Sequence, residues 1–104
     1  MPELRCEAVQ WVNDEPFPGL VEVQFVDAAG RRWSLIDKSP IFTQLDELTP
    51  DSVYPVNVTV ACVIQNDSKA LAGDELVTVS TSPDGVTTPD GRDTFTVRSS
   101  QIIP

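Results

Sequence analysis

Asp84, Asp90 and Asp93, in the stretch SPDGVTTPDGRD, are the residues whose type and spacing come nearest to metal chemistry. Three carboxylates this close in sequence can wrap a hard cation. A calcium loop of the EF-hand kind, however, takes oxygen ligands at alternating positions and closes with a bidentate glutamate at the twelfth. Here the intervals are six and three, and no glutamate follows. The stretch instead repeats Pro-Asp-Gly. Proline presets φ near −65°, aspartate tolerates the corner and glycine accepts the exit geometry, so each phrase prescribes a β-turn. Turn punctuation is the expected role; a weak calcium site at Asp84, Asp90 and Asp93 is the alternative.

Other reactive chemistry is thinly provided for. The chain has no histidine, which removes the commonest general base at neutral pH, the usual Ser or Cys triad and the ordinary zinc site. It has no G-x-S-x-G elbow, phosphate loop or dinucleotide fingerprint. Cys6 and Cys62 are far apart in sequence, without zinc spacing. Each falls on the apolar side of an alternating segment and reads as an inert core thiol. A bond between them is sterically open if their strands are neighbours, although a reducing compartment disfavours it. The acidic pairs Asp14-Glu15, Asp46-Glu47 and Asp74-Glu75 diverge on an extended chain. A carboxylate-only hydrolase would need two acids from distant segments, roughly 5 to 9.5 Å apart in a cleft. No catalytic residue and no cofactor is assigned.

Two loops are better suited to binding than to catalysis. Trp11, Asp14, Glu15 and Phe17 set two aromatics beside two acids in a proline-stiffened segment. Phe42, Asp46, Glu47 and Tyr54 repeat the mixture in a longer one. Buried aromatics ringed by charge are typical anchors of protein interfaces, and the same residues also suit plain loop packing. Arg31-Arg32 reads as a solvated hairpin end, not a phosphate clamp.

The elements that must carry these loops are strands. Val56, Val58, Val60, Cys62 and Ile64 alternate with a mostly polar face, which predicts one long half-buried strand. Val21, Val23 and Phe25 predict a second strand, turning at 27–30 into a third that carries Trp33 and Leu35. Val77 with Val79, and Phe95 with Val97, mark two near the C-terminus. Leu4, Cys6 and Ala8 begin the first, whose phase changes near Val9, Trp11 and Val12, as a bulge would cause. Most of the nine prolines fall between these segments. One helical turn fits the 38–55 connection around Thr43 to Leu48, with Thr43 capping and Leu45 and Leu48 inward. The 104 residues make one domain, 1–104. About six short strands gain most by abolishing their edges, which predicts a small antiparallel β-barrel, with a short β-sandwich as the alternative.

Charge selects among partners. Sixteen acidic residues face seven basic ones, a net −9. Such a surface repels nucleic acid and anionic membranes and attracts a cationic partner. No apolar run is long enough to span a bilayer and the start lacks a signal-peptide layout, so a cytoplasmic location is expected. Five arginines to two lysines, with abundant Val, Asp, Thr and Pro, suit a GC-rich bacterial source. The resulting expectation is a non-catalytic module binding a basic protein, in the manner of an immunity protein or antitoxin. The alternatives are a structural domain that self-assembles through the first strand's edge or the Ile102-Ile103 tail, and the small carboxylate hydrolase.

Overall fold

In the computed structural model, described for residues 2–15, 19–42, 48–68 and 76–103, the chain is all-β and antiparallel, as expected. The larger sheet contains β1 (Glu3–Asn13), β2 (Leu20–Val26), β3 (Arg32–Lys38) and β4 (Val56–Ala61), in the order β3-β2-β1-β4. The smaller sheet contains β5 (Val63–Ser68), β6 (Leu76–Ser80) and β7 (Thr94–Arg98), in that order. A final short strand, β8 (Ile102–Ile103), pairs with the start of β1. Among the described residues these ladders form two open sheets, which is nearer the sandwich alternative than a closed barrel.

The reason lies at Cys62. The alternation at 56–60 holds, with Val58 and Val60 buried, and Cys62, also buried, makes the ladder's last bond, its N–H donating to the Pro2 carbonyl (3.0 Å) in register with the Glu3–Ala61 pair before the path bends away. Beyond the bend the chain joins the second sheet as β5. Ile64, expected inside with Val60, is 46% exposed. What read as one long strand is shared between two sheets.

The first strand carries the foreseen phase change. Its register against β2 shifts between Ala8 and Gln10 and again between Trp11 and Asn13. Each extra residue increases the local twist, so Leu4, Cys6 and Ala8 face inward while Trp11 still reaches the core rim. Of the self-assembly edges expected, that of this strand is already used, and the C-terminal tail is paired on one side among the described residues. Within the large sheet β1 lies between β2 and β4, and Ile102 and Ile103 pair with Leu4 and Glu3.

One core joins the sheets. Val21, Val23, Phe25, Leu35 and Val60 meet Val77, Val79, Phe95 and Val97. Phe95 packs edge-on against Phe25 (5.0 Å between ring centres) and Trp33 (5.4 Å). The connection opens with a helical turn, α1 (Ser39–Phe42), while the turn expected around Thr43 to Leu48 lies, but for Leu48, outside the described residues. Phe42 and Leu48 are both buried, as the inward reading of Leu48 required.

Candidate functional site

The two aromatic–acidic loops emerge from the same end of the large sheet. Asn13 pairs with Leu20, and Leu20 with Lys38, where α1 begins. The Ser39 N–H donates to the Gly19 carbonyl (3.1 Å), tying the β1–β2 connection to the start of the next. On the other side of β1, Val56 pairs with Ala8, so the 48–55 segment returns to this end. Sequence reasoning named both loops but had no means of joining them.

Within this end the named residues divide. Trp11 lies half-buried over Gly19, its indole N–H donating to Asp14 Oδ1 (2.9 Å). Gly19 has φ 124°, and a methyl group there would fall 2.0 Å from the indole. The glycine is required both by its backbone and by the ring upon it. Asp14 and Glu15 are exposed. Tyr54 is half-buried, and its hydroxyl donates to the Thr49 carbonyl (2.7 Å), closing a turn in which the Ser52 N–H also donates to that carbonyl. Burial raises the phenol above its ordinary pKa. Phe42, expected as a possible partner anchor, is sealed in the core and has no surface to offer. Phe17, Asp46 and Glu47 lie outside the described residues.

Two contributors escaped sequence reasoning. Val53 is 88% exposed at the tip of the 48–55 loop, and Val12 is 45% exposed in the second bulge of β1. Asp14 and Glu15 beside Val12, and Asp51 beside Val53, are exposed too. The double phase slip after Ala8 was the available signal for Val12; Val53, a lone valine in a polar turn, gave none.

The doubled turn phrase shapes a loop. Ser82–Asp84 is a 3₁₀ turn that ends on Gly85 in the left-handed region, φ 68°, and Gly91 ends the second turn at φ 89°. The buried Thr81 hydroxyl donates to the Val86 carbonyl (2.6 Å), and the Thr81 N–H to the Asp93 carbonyl (2.9 Å). The Thr88 hydroxyl donates to Asp90 Oδ1, which together with the nearby Arg31 and Arg92 charges holds that carboxyl below its ordinary pKa. Val86, fully buried, pins the loop between its two turns. Asp84, Asp90 and Asp93 do not converge. Among the described residues no three Asp, Glu or Cys side chains gather closely enough to hold a metal ion.

The thiols do not meet either. Cys6 pairs with Val58, whereas Cys62 lies opposite Pro2, four residues further along β1. At about 3.3 Å per residue that separation exceeds the roughly 7 Å limit for a disulfide. Both cysteines are free and buried. Burial pushes the Cys6 thiol up to about 12 and raises Cys62 as well, so neither is a ready nucleophile.

A cleft of about 370 Å³ opens where β2 parts from β1, lined by Arg5, Cys6, Glu7, Gln24, Phe25, Val26, Asn57 and Gln101. Glu7 is its single carboxylate, so the acid–base pair required by a carboxylate hydrolase is not assembled there. Among the described residues no helix is long and apolar enough to cross a membrane.

No family model, curated protein or solved structure matches this chain.

Proposed function

We propose that this protein is a non-catalytic module that binds a basic protein, using the end of its large sheet that bears Trp11, Val12, Asp14, Glu15, Asp51 and Val53. The observation that carries the reading is that two acidic loops far apart in sequence share one end and raise exposed valines there. Exposed apolar groups at a loop tip supply desolvation energy on contact, and the surrounding acids favour a cationic surface over a neutral one. Trp11, already fixed by Asp14 and Gly19, presents its edge without a large ordering cost. The net charge of −9 steers the encounter. In this role the protein acts as an immunity protein or antitoxin does, covering a basic partner in the cytoplasm of a bacterium.

The test is affinity measurement on a basic partner captured at low salt from the source cells. Association slows steeply as ionic strength rises, because charge steering is screened within about 10 Å at 0.1 M salt. Asp14→Lys with Glu15→Lys reduces the association rate at least tenfold, and Val53→Asp raises the dissociation rate. Retention of the partner with unchanged rates by all these variants would remove this surface from the interaction. Failure to retain any basic protein would remove the reading itself.

A further inference from the structure

We infer that Asp84 is a site of spontaneous covalent modification: its side chain closes onto the Gly85 nitrogen as a succinimide, which water reopens as isoaspartate, while Asp90 is spared. The chain contains two Asp-Gly steps, Asp84-Gly85 and Asp90-Gly91. Both stand exposed in the turns between β6 and β7. Glycine after aspartate leaves the backbone nitrogen uncrowded, since no Cβ shields it. A methyl group placed at Gly85 or at Gly91 would meet nothing within 4 Å, so both nitrogens are open to approach.

In the reaction the Gly85 nitrogen attacks the Asp84 carboxyl carbon and a five-membered imide closes. The new N–C bond replaces one C–O bond of the neutral carboxyl, and the amide proton leaves with that hydroxyl as one water. Hydrolysis then returns one water at either imide carbonyl. Opening at the α-carbonyl leaves the main chain running through the side-chain methylene. Mass is unchanged, and water is the only co-reactant.

The two turns are matched in what the backbone contributes. Gly85 and Gly91 both have left-handed φ, 68° and 89°. Each donates its N–H to the carbonyl three residues back, Ser82 or Thr88, at 2.9 Å. The carboxylates differ. Asp90 Oδ1 accepts the Thr88 hydroxyl, and that oxygen is fixed in turn by the Arg92 N–H (3.0 Å). This tether holds the Asp90 side chain from swinging onto Gly91. The same bond, with the nearby Arg31 and Arg92 charges, keeps the carboxyl ionised, and an ionised carboxyl has no hydroxyl to lose as water. Among the described residues the Asp84 carboxyl has no hydrogen bond or ion pair, so it rotates freely toward its glycine.

The change reaches the core. Asp84 ends the 3₁₀ turn that leads into Val86, which is fully buried and bonded to Thr81 through both its N–H (3.3 Å) and its carbonyl (2.6 Å). One extra main-chain atom at position 84 lengthens that lead-in, so the isoaspartyl form has a looser loop and a lower melting temperature.

The experiment keeps the intact protein at neutral pH and body temperature for several weeks. Peptide mapping with electron-transfer fragmentation then reads isoaspartate residue by residue from its own fragment masses. The expected result is conversion at Asp84 at least threefold faster than at Asp90. In urea the two convert at similar rates, because the tether on Asp90 is gone. Thr88→Val, which removes the hydroxyl from a side chain of the same shape, brings Asp90 up to the Asp84 rate. Thr88→Ser, which keeps the hydroxyl, leaves Asp90 spared. A thermal melt checks that each variant is folded, and the urea comparison decides the matter where one is not. Equal rates in the folded native chain, an Asp84 that stays intact there, a preference that persists in urea, or an Asp90 unmoved in folded Thr88→Val would each overturn the inference.

Discussion

The two tryptophans make the same bond at opposite ends of the sandwich and do different things with it. Trp33 donates its N–H to Asp27 at 2.8 Å, and Trp11 donates to Asp14 at 2.9 Å. Asp27 also receives two backbone N–H groups, and its indole is enclosed by Phe95 and two guanidiniums. Asp14 is exposed, and its indole rests half-buried on a single glycine. A hydrogen bond contributes according to what is left unpaired when it breaks. Around Trp33 the broken bond would strand several donors and open the core; around Trp11 water replaces it.

Several substitutions break or sharpen that contrast. The largest effect belongs to Phe95→Ala, which removes the ring shared by Phe25 and Trp33 and costs about 3–5 kcal/mol in urea unfolding. Trp11→Ala, with its ring only half-buried, costs about 1–2 kcal/mol on the same large-to-small scale. Equal values for the two would erase the distinction. Gly19→Ala falls between these two, at about 2–3 kcal/mol, since it combines a positive φ with a collision against the indole. In the Trp11→Ala background that cost shrinks to the backbone part alone, and a double-mutant cycle reads the difference as a coupling energy.

Smaller effects fall on the aspartates. Asp27→Asn costs about 1 kcal/mol, because an amide keeps an acceptor but loses the charge that strengthens three bonds. Asp14→Asn stays within about 0.5 kcal/mol. The pH dependence follows the same division. Burial alone would raise the Asp27 carboxyl, but the Trp33, Arg31 and Ala29 donors and the Arg31 charge outweigh it and hold it below its ordinary pKa. A carboxyl depressed on folding stabilises the fold above its unfolded pKa, about 3.9, and that stabilisation is lost as pH falls through the lower folded value. Thermal melts from pH 6 to 2 therefore show a steeper acid decline for the native chain than for Asp27→Asn. At the other extreme, Cys6 resists thiol reagents at pH 8 until the protein unfolds, a difference read by comparing labelling rates with and without denaturant.

Much of the large sheet was legible in the sequence because its strands keep period two for several residues. Val21, Val23 and Phe25 alternate cleanly, and their partner strand begins after a recognisable turn. The phase slip around Val9 and Val12 was legible as a bulge for the same reason: a period interrupted and then resumed. What alternation does not encode is which sheet a strand joins. Cys62 continues both the apolar pattern and the ladder of β4, bonding to Pro2, and the chain departs for the second sheet just beyond. Pairings across long stretches of chain were equally hidden. Arg31 precedes Trp33 by two residues and so shares its side of the strand, a local signal passed over in favour of solvation. Arg92 reaches that ring only through the fold. Phe42 shows the opposite error, an aromatic beside acids in sequence that the fold turned inward.

The pairing of β8 with β1 has a consequence for synthesis. Leu4 and Glu3 pair with Val60 and Ala61 on one side and with Ile102 and Ile103 on the other, so the start of β1 is flanked on both sides only once β8 is made. The two hairpin units, β1–β2–β3 and β5–β6–β7, can form before β8 is made; the seam that β8 closes cannot. Among the described strands the β1–β8 seam is thereby the last that can close.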